Sequence, residues 1–203
     1  DRLDYLRRDS FFTGVTEGIV GSDRIIKMMN VYKDNLVIEA KGIYSIEKFL
    51  VARRLMYWQV YLHKTVLSAE NMLMRILSRA KELALQGTVL PCSNSLRIFL
   101  YEKINKGDFK TRNDLLDSFS QLDDYDVLGA IKQWMNSGDF VLSKLSTQLV
   151  NRNLLKIKLQ KNPFTELEIN KLVSEVAAKN KISLDEAKYF VFSKSIDNRA
   201  YIN

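Results

Sequence analysis

"YSIEKFLVARRLMYWQVYLHK", residues 44–64, is where the architecture of this chain becomes legible. It contains neither proline nor glycine, and its helical pattern continues to about Leu85. More than 40 residues is long for one globular helix, so the pattern predicts two consecutive helices with a bend. At ~100° per residue, Arg53, Tyr57, Tyr61 and Lys64 fall within about 80° of arc. Val51, Leu55, Trp58 and Leu62 form the opposite, apolar stripe. A face of arginine, tyrosine and lysine can neutralise phosphates and stack on a sugar or base. Tyrosines spaced i and i+4 also serve as packing residues with a wet hydroxyl, and the residues alone leave both readings open.

Upstream, "DRLDYLRRDS" (residues 1–10) belongs to a short helix from Asp1 to about Phe12, with Leu3 and Leu6 on one face. The glycine-bearing "TGVTEGIVGSD" (13–23) breaks it, and "SDRIIKMM" (22–29) restarts a helix with Ser22 as the expected N-cap. "NVYKDNLVIEAKG" (30–42) reads as a β-hairpin, because strand-forming residues flank a Lys-Asp-Asn turn and Asp and Asn tolerate left-handed backbone.

Downstream, Gly87 and Pro91 end the long helical run. A helix near Ser95–Ile104 follows, then "NKGDFKTRND" (105–114) as a loop. "DDYDVLGAIKQWMN" (123–136) and "DFVLSKLSTQLVNRNLL" (139–155) are amphipathic helices whose acidic starts suit the helix dipole. "LKIKLQ" (155–160) alternates and predicts a strand. After Pro163, residues 164–180 and 183–193 give two further helical patterns, although "YFVF" also suits a strand. The expected class is mainly α with small β-hairpin elements, a helical part over residues 1–153 and a small α+β appendage over 154–203.

The 31 Lys and Arg exceed the 24 Asp and Glu by seven, which makes nucleic acid and nucleotide phosphates candidate partners. The charges are dispersed, however, and an ordinary basic surface has the same composition. A single cysteine, Cys92, excludes an internal disulfide and predicts a reducing, cytoplasmic setting. No apolar run approaches a membrane span.

One histidine and one cysteine cannot build a closed zinc site or a Cys-His dyad, and neither the P-loop nor the dinucleotide glycine motif is present. His63 reads as a packing or hydrogen-bonding residue, and Cys92 as an ordinary small side chain. In the opening helix Asp1, Tyr5 and Asp9 occupy successive turns of one face. Aspartates there can hold a metal or accept a sugar hydroxyl. Asp4, Arg7, Arg8 and Asp9 can equally form solvated ion pairs.

At these clusters the sequence resembles the HD-domain deoxynucleoside triphosphate triphosphohydrolases. "DRLDYLRRDSFFTGV" (1–15) is similar to their segment D-[RK]-x-D-Y-x-x-R-D, and residues 44–64 look like their long helix, with Arg eight residues before Tyr and a His-Lys pair after it. "LDDYDVLGAIKQW" (122–134) and "LVNRNLLKIKL" (149–159) look like later segments. The resemblance spans roughly residues 1–160, and its specific part is the opening motif.

It implies a fold that completes an HD-type active site. Asp1 would be the last ligand of a divalent metal (Mn, Fe, Mg or Zn), the first histidine and the His-Asp pair lying outside this chain. Arg2 and Arg53 would meet phosphate, Tyr5 would lie beside the deoxyribose, Asp9 would read its 3′-hydroxyl, and Tyr61 would crowd a ribose 2′-hydroxyl. The implied reaction is metal-assisted hydrolysis of a deoxynucleoside triphosphate to deoxynucleoside and triphosphate by a homo-oligomer. The general base and remaining ligands would lie elsewhere, so this chain alone would be inactive. The alternatives are an HD phosphohydrolase acting on another nucleotide, and a noncatalytic basic helical module binding nucleic acid or a protein.

Overall fold

Leu6 and Ser10, one turn apart, are the buried residues of helix α1 (Arg2–Thr13), and the chain leaves the helix through Gly14 at φ +71°. The computed structural model describes residues 2–195. Among them the protein is mainly helical, with ten α-helices and one two-stranded hairpin. Contacts divide the chain into two units, with the boundary between Leu67 and Ser68.

In the first unit, α1 is followed by a 3₁₀ turn at Thr16–Gly18 and by α2 (Ser22–Lys27). Gly21 is the N-cap of α2, so the expectation for Ser22 is off by one residue; the Ser22 hydroxyl caps nothing and is buried without a hydrogen-bond partner. Strands β1 (Met29–Tyr32) and β2 (Asn35–Ile38) pair antiparallel, Tyr32 opposite Asn35 and Met29 opposite Ile38. Lys33 and Asp34 turn the hairpin with φ of 48° and 59°, the doubly left-handed geometry whose twist matches paired strands.

Helix α3 (Ile43–Met56) then runs into a π-helical turn at Tyr57–Tyr61 before α4 (Lys64–Leu85). The expected division into two consecutive helices is therefore present, and the first of them ends in a widened turn. α3 packs on α1, on α2 and on the 3₁₀ turn. Its buried residues are Ala52, Arg53 and Met56. The apolar stripe read from the sequence lies elsewhere: Val51 is 57% exposed, Leu55 37% and Trp58 62%. Tertiary packing reverses the expected orientation, because α1 and the 3₁₀ turn cover the side that holds Arg53.

The second unit centres on the later part of α4. Met72, Ile76 and Ala80 of α4 pack with Leu96 and Leu100 of α5 (Asn94–Tyr101), Ile131 and Trp134 of α7 (Asp124–Trp134), and Val141, Leu142 and Leu145 of α8 (Phe140–Val150). The acidic starts read from sequence are caps: Asp123 closes a capping box on α7 and Asp139 accepts from Leu142 N on α8. Between α5 and α7 the structure adds α6 (Asn113–Gln121), a helix that the sequence pattern does not predict, with Leu115 fully buried.

Residues 155–160 form no strand. The backbone of Leu155 is engaged by α4 instead, with its N–H on Met72 Sδ (3.3 Å) and its carbonyl accepting from Ser68 Oγ (2.7 Å). Alternation cannot make a strand where side chains have taken the ladder groups. Helices α9 (Glu166–Asn180) and α10 (Leu184–Ala187) follow, each opened by a capping box, Thr165 with Glu168 and Ser183 with Glu186. They share a small core of Val173, Ala177 and Ala187.

Candidate functional site

The two faces of α1 have different partners. On one, Asp4 and Arg8 form an exposed ion pair at 3.0 Å, so the solvated reading holds for those two residues. On the other, Tyr5 and Asp9 meet the end of α3 and the π turn. Tyr61 donates its phenol proton to Asp9 Oδ2 at 2.6 Å, and Arg53 Nε donates to the Tyr5 hydroxyl at 3.2 Å. The rings of Tyr5 and Tyr61 stand edge to face at 6.1 Å, and those of Tyr57 and Tyr61 at 5.1 Å. The Arg53 guanidinium carbon lies 5.5 Å from the Tyr57 ring centroid.

The π turn brings these groups into a row. Leu62 N–H donates to the Tyr57 carbonyl at 2.8 Å, five residues back. In an uninterrupted α-helix eight residues advance by about 80° beyond whole turns, so Arg53 and Tyr61 would diverge. A π turn advances each residue by roughly 80° instead of 100°, which over Tyr57–Tyr61 removes most of that divergence. Its i→i+5 bonds are why the sequence-level arc understated the alignment.

The cluster is half enclosed. Arg53 keeps 8% of its surface in solvent, while Tyr5, Asp9, Tyr57 and Tyr61 are half-buried. Burial opposes the Arg53 charge, yet hydrogen bonds to the Tyr5 and Tyr57 hydroxyls more than offset it and raise its pKa above the ordinary value. Burial, and then the hydrogen bond and charge of Asp9, push the Tyr61 phenol well above the ordinary value. Tyr61 is therefore a fixed donor at any physiological pH. Asp9 has two carboxylate oxygens and can accept a ligand hydroxyl while keeping Tyr61.

The structure thus joins Tyr5, Asp9, Arg53 and Tyr61 of the expected residues. Tyr57, which the sequence places on the same face but to which the resemblance assigns no individual role, is the centre of the row, four residues from both Arg53 and Tyr61. Arg2 opens α1 and is exposed. Asp1, the expected metal ligand, lies outside the described residues. Lys64 is the first residue of α4 and is exposed. His63 precedes α4, and its Nδ1 accepts from Thr65 N–H at 3.3 Å, a capping contact. Among the described residues no group of three His, Cys, Asp or Glu side chains could hold a metal. What is present is a cluster of a guanidinium, a carboxylate and three phenols.

Residues 20–90 match the HD associated region. The match runs from just before α2 into the loop after α4, and so includes Arg53, Tyr57 and Tyr61, while α1 supplies Tyr5 and Asp9 from upstream. The chain is similar to a crystal structure of a phosphohydrolase, BT4208 of Bacteroides thetaiotaomicron, with 55% identity and a TM-score of 0.90 over 96% of this chain and 48% of that one. It is 31% identical to the uncharacterized protein YwfO of Bacillus subtilis, over 97% of this chain and 43% of YwfO. It is 32% identical to the uncharacterized protein MJ1154 of Methanocaldococcus jannaschii, over 66% of this chain and 32% of MJ1154. The chain spans less than half the length of each of these relatives. The chain thus combines a match to the HD associated region with a structural likeness to one solved phosphohydrolase.

Proposed function

We propose that this chain forms the substrate-holding side of a cytoplasmic, homo-oligomeric HD-type phosphohydrolase that converts deoxynucleoside triphosphates to deoxynucleoside and triphosphate. The observation that carries this reading is the pair of hydrogen bonds, Arg53 to Tyr5 and Tyr61 to Asp9, which puts a cation and a sugar-hydroxyl acceptor on two sides of one aromatic patch. Phosphate would meet the small part of Arg53 that remains in solvent, with Arg2 as a second cation. A 3′-hydroxyl would donate to Asp9, and the sugar would lie against Tyr5. Tyr61, locked by Asp9 and flanked by two other phenols, would leave little room for a 2′-hydroxyl. In this reading Asp1 would be one ligand of the divalent metal, and the other ligands and the general base would come from outside this chain. Arg53 is too enclosed to serve an open polyanion surface, which counts against a nonspecific nucleic-acid module.

Kinetics of the full-length protein test the reading. Arg53→Ala should raise KM for dATP about 10- to 100-fold, the loss of a charge-assisted hydrogen bond. Asp9→Asn should lower kcat/KM for dATP by a similar factor while affecting 3′-deoxy-dATP much less. Unchanged constants in both variants would remove Arg53 and Asp9 from the site.

A further inference from the structure

We propose that Tyr57 is a positioning residue that holds the Arg53 guanidinium and the Tyr61 phenol in fixed relation, so that the arginine offers its cationic edge to an incoming polyphosphate. The inference rests on the reading of Arg53 as a phosphate contact. Three contacts converge on this one side chain. Its ring lies 5.5 Å from the guanidinium carbon, a cation–π distance that restrains the group from one side. Its hydroxyl is a second partner of the same guanidinium and one of the causes that raise the arginine's pKa. Its ring edge meets Tyr61 at 5.1 Å and 74°, while Tyr61 is held on its other side by Asp9 at 2.6 Å.

The chemistry of these holders matters as much as their positions. Tyr5 and Tyr57 both fix Arg53 with neutral phenols. A carboxylate in either place would hold the guanidinium equally well and neutralise the charge that an anion needs. A phenol orients without cancelling. Tyr57 also begins the π turn, its carbonyl accepting the five-residue bond from Leu62, so the local backbone fixes the ring that fixes the arginine.

The test is a double-mutant cycle in the full-length protein, read by calorimetric binding of inorganic triphosphate at constant ionic strength and by kinetics with dATP. Tyr57→Phe removes the hydroxyl and keeps the ring. It should weaken triphosphate binding roughly 3- to 10-fold, the scale of one neutral hydrogen bond, with KM for dATP rising alike and kcat held within about twofold. In an Arg53→Ala background the same change should alter binding by less than about twofold, because its effect passes through the arginine. Thermal unfolding of Tyr57→Phe should coincide with that of the parent protein. If Tyr57→Phe leaves triphosphate affinity unchanged, or weakens it equally in both backgrounds, the positioning role is overturned while the phosphate role of Arg53 stands. If Arg53→Ala itself leaves triphosphate affinity unchanged, or the parent protein binds no triphosphate, both fall together.

Discussion

Gly18 is the smallest residue with the largest consequence for the cluster. A Cβ placed there would lie 2.8 Å from Met56 Sδ and 2.9 Å from Ser10 Cβ. Met56 can swing its sulfur away. Ser10 cannot, since its Cβ is part of α1 and its hydroxyl donates to the Val15 carbonyl at 2.5 Å. Gly18 therefore sets how closely α1 approaches α3, and through that distance the reach of Tyr5 to Arg53. Gly18→Ala is expected to cost ~1–3 kcal/mol by overpacking, measured as a lower urea midpoint at unchanged m-value. An unchanged midpoint would mean that α1 and α3 separate at no cost. None of this is visible in "TGVTEGIVGSD", where three glycines look alike and only packing singles out one.

The helical elements show what periodicity conveys and what it does not. The hairpin, the split of residues 44–85 and the helices opened by Asp123 and Asp139 were legible, because turn chemistry and caps are local. The burial direction of α3 was not, since the partner that covers a helix is chosen by distant residues. Helix α6 was missed because its nine residues are short and begin in a charged loop. The residues of the site were legible as types and spacing. Their assembly depended on a π turn that side-chain periodicity does not announce. The reversed face of α3 gives a sharp contrast in this chain. Met56→Ala, at a fully buried position, should cost ~2–5 kcal/mol in urea unfolding. Trp58→Ser should change stability by no more than about 0.5 kcal/mol despite removing the larger side chain. Equal losses would restore the orientation read from periodicity.

At the scale of the molecule, the second unit is fastened by charge as well as by its apolar core. Arg79 forks onto Asp139 with bonds of 3.1 and 2.6 Å and reaches Glu82 at 2.9 Å. Tyr189, from the segment after α10, donates to Glu82 at 2.6 Å and places its ring 5.6 Å from the Arg79 guanidinium. The hydrogen bond from Tyr189, followed by Arg79, holds the Glu82 carboxyl below its ordinary value of 4.5. Burial pushes the Asp139 carboxyl up, but Arg79 and backbone donors outweigh it and leave it below 3.8. With both carboxyls depressed on folding, the unfolded chain binds more protons in acid. Their stabilisation is complete above the ordinary values and is lost as pH falls below about 4. Tyr189→Phe returns Glu82 toward its ordinary value. Allowing for the exposure of Glu82, the variant should lose roughly 0.5–1 kcal/mol at pH 7 and converge on the parent protein as acid protonates Glu82. A constant gap across that range would show that Tyr189 acts by packing alone. Among the described residues no helix is long and apolar enough to cross a membrane.

The π turn at Tyr57–Tyr61 also changes how relatives of this chain should be aligned. A widened turn holds one residue more than a regular helix would use to cover the same length. A homologue that has the same helix without the widened turn carries one residue fewer between its arginine and its tyrosine. Matching the two by helix ends would then pair Tyr61 with a residue facing a different direction. The dependable markers are Arg53 and Tyr61 themselves, and for such a homologue the single-residue gap belongs between them.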